Sequence, residues 1–349
     1  YGDWSSDVCS SDLGGFTPGD THFVANHFIP APDGWIYAST GSGATATKPG
    51  TKEVVGRVSS GLFRFKADGS AIEQVGSSGG NTFGADVTSD LELFHGKATS
   101  GNPLQHVVLP EWVLAKAGST PARAMQNINP GRTVARADLP ERAPLMQIDQ
   151  VGRYSAACAS LVAEGGAWPA EYNGTIFVTE PILDIIHHER LVPKGPTLAG
   201  ELVLPKGEWL RARDYWFTPV TLAWGPDGAM YVLDFYTPVV AHNDTRGPQH
   251  SRSGASVRPD REHYYGRIYR IQHEAAPRLA HPDLAKADAA VRFAATAASR
   301  ASAASENRVT PFVTSPAVTS SSLSPSCSAS ASTWRASPTS SVSVSRTVP

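Results

Sequence analysis

The chain has 349 residues, a formal net charge of −2 and 41% hydrophobic residues. This near-neutral balance leaves no basic field for nucleic acid, and no apolar run reaches the roughly 18 residues that a membrane-spanning helix needs. Cysteines stand only at 9, 158 and 327, so there is no disulfide framework, and no C-x-x-C-H is present to attach a c-type haem.

At the N-terminus, Asp3-Trp4-Ser5-Ser6-Asp7-Val8-Cys9-Ser10-Ser11-Asp12-Leu13 has neither apolar period nor turn chemistry. It matches the conceptual translation of a sequencing-library adapter, and 1–13 is set apart from fold reasoning on that ground. On this reading the chain enters its domain part-way, truncated at the N-terminus, with any signal peptide lying upstream.

From Gly14 onward the pattern is modular. An apolar run, His27 to Ala31, leads into Pro32-Asp33-Gly34 and then Trp35-Ile36-Tyr37. Glycine takes positive φ without steric cost, so Asp-Gly predicts a tight turn between two strands. A long polar stretch follows, then Gly61–Phe65 and, past Asp68-Gly69, Ala71–Val75. The same unit returns as Val220–Trp224, Pro226-Asp227-Gly228, Ala229–Leu233 and Gly266–Ile271. Two weaker copies lie between, at Phe83–Val87, Leu91–Phe94 and Leu104–Leu109, and at Ala157–Val162, Thr175–Thr179 and Ile185–Leu191. The segment from Pro110 to about Arg153, rich in Pro, Ala and Arg, reads as an insertion. Four-stranded modules in series predict an all-β fold, a β-propeller of about four blades over 14–275.

Beyond it, Pro282–Ala297 carries a helical pattern, assigned as the start of a helical region over 276–297. From Arg308 to the end there is no Asp, Glu, Lys or Gly, and 298–349 reads as a tail without structure, consistent with a frameshift.

In a propeller, the loops entering the innermost strands and the loops after the second strands crowd one rim, where polar residues are candidates for chemistry. The loop before the first copy holds His22 and His27; the loop before the third holds Arg153 and Tyr154. The loop after the last Asp-Gly hairpin begins at Asp234 and carries Tyr236, His242 and His263, with Arg267 opening the next strand. An aspartate closing a strand also serves simply to tie a turn, a histidine on a polar loop is commonly solvated, and Arg267 suits a structural ion pair as well as a ligand contact. His187-His188-Glu189 resembles a metal cluster, yet neighbouring strand residues face opposite sides, so the two histidines do not share a metal. Cys158, in an apolar strand lead, is expected to be a buried inert thiol. No G-x-S-x-G elbow marks a hydrolytic nucleophile.

Several strings in fixed order, Asp20-Thr21-His22, Pro32 to Tyr37, Gly61 to Ser70, Asn81 to Gly84, Trp168 to Tyr172, Phe177 to Pro181, Asp234-Phe235-Tyr236 and His263 to Arg270, resemble the membrane-bound dehydrogenase family also called PVC-type haem-binding proteins. Its propeller in turn resembles quinoprotein glucose and sorbosone dehydrogenases. The resemblance implies a six-bladed propeller, HEAT-like helical repeats and a c-type cytochrome domain absent from this sequence, all exported to the periplasm or cell surface. It implies oxidation of a sugar or alcohol with pyrroloquinoline quinone (PQQ) and calcium, and electron transfer to the cytochrome. His22 would be the general base, with Arg153, Asp234 and His242 shaping the site and His27, Tyr236 and Arg267 toward the cofactor. The rival reading is a non-catalytic propeller that binds glycans or protein in a cell-surface polysaccharide system. A lactonase would need a calcium cage that too few carboxylates supply.

Overall fold

The computed structural model describes residues 13–16, 24–79, 81–98, 103–118, 124–129, 154, 156–214, 216–237, 266–277, 334–336 and 342–347. Among them, four antiparallel sheets are arranged as the blades of a β-propeller. Blade 1 runs β1 (Asn26–Pro30), β2 (Ile36–Thr40), β5 (Gly61–Phe65) and β6 (Ile72–Ser77), from the inside outward. The polar stretch between β2 and β5 is itself a hairpin, β3 (Ala44–Thr47) against β4 (Val54–Val58). Blade 2 is β7 (Thr82–Val87), β8 (Leu93–Lys97), β9 (Leu104–Val107) and β10 (Met125–Asn127). Blade 3 is β11 (Ser160–Ala163), β12 (Thr175–Glu180), β13 (Ile185–Lys194) and β15 (Leu210–Ala212), with β14 (Thr197–Leu202) on the distal half of β13. Blade 4 is β16 (Pro219–Trp224), β17 (Met230–Asp234) and β18 (Arg267–His273).

Two expectations are corrected. The segment after Pro110 is not wholly an insertion: it supplies the helix α1 (Glu111–Lys116) and then β10, the outer strand of blade 2. The tail is not without structure throughout. Trp334–Ala336 (β19) adds to β15, and Val342–Thr347 (β20) pairs with β18 as the outer strand of blade 4. Its Val-Ser-Val-Ser alternation has the period of a strand, and the open edge of β18 supplies the backbone partner. The proposed helical region lies outside the described residues apart from its first two.

The hairpin unit recurs with one turn. Glycine N–H donates to the residue three back at Gly34–Ala31 and Gly228–Gly225, and the pairs Ala31–Trp35 and Gly225–Ala229 close the loop. Blade 2 closes the same way through Leu91–Thr88 and Thr88–Glu92. The last loop residue is left-handed throughout, with φ of 74° at Gly34, 71° at Gly174 and 75° at Gly228, and 69° at Leu91. In blades 1, 2 and 4 this is the three-residue hairpin whose final position favours glycine, whereas in blade 3 Gly174 ends a longer connection between β11 and β12.

The core lies between the blades. Tyr37, Leu62 and Val75 meet Ala85, Val87, Leu93 and Met125 between blades 1 and 2. Phe94, Leu104 and Ile128 meet Ile176, Val178 and Ile185 between blades 2 and 3. An aromatic cluster, including Trp168, Phe177, Trp209, Phe217 and Trp224, fills the space between blades 3 and 4. The far face of blade 1 is covered by β3, β4 and Leu13, a residue of the segment set apart above. Inner strands approach closely: a Cβ at Gly84, φ 104°, would sit 1.7 Å from the carbonyl oxygen of Cys158. Hydrogen bonds cross the same contacts, from Gly84 N–H to Asn26 Oδ1 (3.0 Å) and from Val162 N–H to Asp86 Oδ2 (2.6 Å).

Candidate functional site

The rim where inner strands begin and second strands end carries a cluster built from blades 3 and 4. Asp234 closes β17 and is the register partner of Arg267, which opens β18. The strand pairing alone therefore brings two of the sequence candidates together. Tyr236 follows in left-handed conformation, φ 46°, and the Arg267 guanidinium carbon lies 3.1 Å from the centre of its ring. This is a cation–π contact. Arg267 Nη1 also stands 3.5 Å from Asp214 Oδ2 and donates to Tyr269 Oη at 3.1 Å. Trp216 completes the aromatic wall, 5.2 Å from Tyr236 between ring centres.

Asp234 is buried and divided in role. Its Oδ1 accepts the backbone N–H groups of Thr218 and Tyr236, both at 2.7 Å, which ties the loop entering blade 4 to the loop leaving β17. Among the described residues its Oδ2 is buried without a hydrogen-bond partner. Burial pushes its pKa up to about 7, against the two backbone hydrogen bonds and Arg267, which pull it down. Glu180 holds the matching place in blade 3, three residues past the strand aromatic, and accepts the N–H of Ala156 at 2.9 and 3.1 Å. The tying role is thus shared by blades 3 and 4, and the second oxygen of Asp234 takes no part in it.

Sequence reasoning passed over Asp184 and Asp214, which face the same cluster. Asp184 ends the turn into β13 with φ 55°, is 2% exposed, and among the described residues its Oδ2 is without a partner. Burial, then Asp214, Asp234 and Glu180, hold its carboxyl well above the usual range. Nothing in a linear pattern marks these two, because blade packing assembles them. For Glu180 the signal was present, in its equal spacing with Asp234 from Phe177 and Tyr231.

The other candidates divide. His27 lies on β1 with φ 52°, its Nδ1 3.1 Å from Asn26 Oδ1 and its ring edge-on to Phe83 at 5.2 Å. Burial lowers its pKa to about 4, so it is neutral at pH 7. It belongs to the contact of blades 1 and 2, and no described interaction links it to the Asp234 cluster. His22, Arg153 and His242 lie outside the described residues.

The histidine pair behaves as strand geometry requires. His187 is held between Glu208 (2.6 Å) and Glu189 (2.9 Å), while His188, on the opposite face, stacks on Phe177 at 4.2 Å. Both ring nitrogens of His187 point at carboxylates, and among the described residues no group of three His, Cys, Asp or Glu side chains is arranged to hold a metal. Cys158 is a buried thiol pushed up to about 12 by its burial, which makes it inert at neutral pH.

The chain belongs to the family described as "Domain of unknown function (DUF7133)", whose model matches residues 1–275. No curated protein matches it. Among solved structures it is similar to a protein of unknown function from Bacteroides caccae, at 8% identity over 61% of this chain and 71% of that one, TM-score 0.29. It is similar to a glucose dehydrogenase, at 14% identity over 61% and 79%, TM-score 0.30. A third is the PQQ-bound aldose sugar dehydrogenase of Streptomyces coelicolor, at 14% identity over 68% and 60%, TM-score 0.28.

Proposed function

We propose that this propeller is the substrate module of an exported quinoprotein-type dehydrogenase that oxidises a hydroxyl of a sugar or alcohol. In the periplasm or at the cell surface, its electrons would pass to a c-type cytochrome. The observation that carries the reading is the pairing of Asp234 and Arg267 at the rim. A buried carboxylate with one free oxygen and a near-neutral pKa is suited to take a hydroxyl proton. The guanidinium beside it, held by Asp214 and Tyr236, is suited to orient the oxygen from which that proton leaves. The ordered strings from Asp20-Thr21-His22 to Arg270 support the same reading by resemblance, with His22 as a further base.

PQQ is a planar quinone bearing three carboxylates, and calcium takes six to eight oxygen ligands. The described rim sets one guanidinium, already engaged, against Asp184, Asp214 and Asp234, and contains no three-ligand metal group. That donor set does not by itself seat PQQ or calcium. The described residues supply proton acceptance at Asp234 Oδ2 and polar orientation at Arg267.

The test uses the full chain mixed with PQQ and calcium. Binding is followed by the quinone absorption, and turnover by dye reduction across a panel of sugars and alcohols. Saturable binding with turnover supports the dehydrogenase. Absence of both overturns it and leaves the glycan-binding propeller, which the aromatic wall of Trp216 and Tyr236 beside free carboxylate oxygens also suits.

A further inference from the structure

His187 and Glu189 stand two apart on β13, so strand alternation puts them on one face, the face on which Ile185 packs toward blade 2. Glu208, two residues before β15, has its Oε2 2.6 Å from His187 Nδ1, and Glu189 Oε1 lies 2.9 Å from Nε2. The second oxygen of Glu189 accepts Asn129 Nδ2–H at 2.7 Å, and Asn129 Oδ1 accepts the N–H of Leu104, on β9 of blade 2, at 2.9 Å. A continuous row of hydrogen bonds thus crosses from blade 3 into blade 2. The side chains of His187, Glu189 and Glu208 are at most 3% exposed. The backbone leaves room for the row at Gly200, where a Cβ would stand 1.9 Å from Glu189 Oε2.

An ionised carboxylate only accepts, and a neutral imidazole carries a single N–H. Bonds from both ring nitrogens to two carboxylates therefore need a hydrogen on each nitrogen. With a neutral ring, one buried carboxylate would face a nitrogen lone pair instead of a donor, which is costly away from water. We infer that His187 is a fixed imidazolium that fastens blade 3 to blade 2 through Glu189 and Asn129, and that the fastener lets go in alkali. Its two charge-assisted bonds hold Glu189 in line with Asn129 on one side and tie Glu208 to β13 on the other. The other titratable groups beside the ring are Tyr154, edge-on at 5.3 Å, and His188 on the opposite face of β13. Burial keeps both uncharged at neutral pH, so the two glutamates alone compensate the cation. Burial by itself would lower the pKa of His187; the hydrogen bonds and charges of Glu189 and Glu208 outweigh it and push the value up to about 9. A value raised in the folded chain gives stability that is complete below the unfolded 6.5 and is lost as the pH rises through about 9.

NMR of the full chain with ¹⁵N-labelled histidine tests the inference. At about pH 7.5, above the ordinary histidine value of about 6.5, one ring should still carry a hydrogen on both nitrogens. Glu208→Gln offers its own amide N–H to Nδ1 and removes the need for the second proton, so this doubly protonated ring should disappear. Glu189→Gln does the same at Nε2 and serves should Glu208→Gln fail to fold. In denaturant unfolding, the wild-type midpoint should fall relative to that of the folded glutamine variant between about pH 6.5 and 9. Absence of a doubly protonated ring at about pH 7.5, its survival in the folded glutamine variant, or parallel pH profiles of the two proteins overturns the inference.

Discussion

Arg270 Nε donates to Asp227 Oδ2 at 2.6 Å, tying the third strand of blade 4 to the turn that joins the first two. Tyr231 Oη donates to the same oxygen at 3.2 Å, and Tyr231 and Arg270 are register partners. Blade 1 repeats the arrangement with Asp33, Tyr37 and Arg64, at 2.8 Å and 3.2 Å. The Pro-Asp-Gly echo thus preserves an Asp-Tyr-Arg clasp as well as a turn. In blade 4 the aspartate side chain is fully buried; in blade 1 it is 20% exposed. Asp227→Ala should therefore cost about 3 kcal/mol in denaturant unfolding and Asp33→Ala about 1 kcal/mol. Equal losses would mean that burial does not set the strength of the clasp.

Leu91 occupies the left-handed loop position that glycine holds in the other three blades, and 39% of it is exposed. A side chain there costs about 1–2 kcal/mol of backbone strain, while little apolar burial would be lost on removing it. Leu91→Gly should raise the stability of the chain by about 1 kcal/mol in a denaturant titration. A destabilised variant would show that Leu91 packs better than its exposure indicates.

Asp234→Asn keeps both backbone ties available in shape but removes the base. Given turnover with a sugar or alcohol, kcat should fall about 10²- to 10⁴-fold with an unchanged circular dichroism spectrum. In the wild type the proton acceptor is the ionised form, so activity should rise with pH through about 7. A rate that stays flat from about pH 5.5 to 8.5 would remove Asp234 from the chemistry.

Three buried histidines are held neutral by desolvation, His27 and His95 with pKa lowered to about 4 and His188 to about 3. Each binds its proton more readily when unfolded, where the value is 6.5. Their contribution is complete above that pH and is lost as the pH falls toward 4. The chain should unfold in mild acid, followed by tryptophan fluorescence. His188 stacks flat on Phe177, and among the described residues neither of its ring nitrogens has a partner. His188→Phe should move the acid midpoint downward; no movement would put the acid sensitivity elsewhere.

What the sequence determined by itself is the blade. Turn chemistry at Asp33-Gly34 and Asp227-Gly228, strand alternation and the recurring aromatics at 37, 94, 177 and 231 are local properties, legible because each acts within a few residues. Opposite facing of His187 and His188 followed from the same local geometry. The pairing of Asp234 with Arg267 was legible only in part: both stood out as rim residues, but strand register decided that they are opposite one another. The tertiary structure alone decided the tail strands and the membership of Asp184 and Asp214 in the rim. A short alternating segment becomes a strand only where an open edge receives it. A carboxylate's charge state depends on burial and on neighbours brought in from another blade, and no spacing along the chain encodes that field.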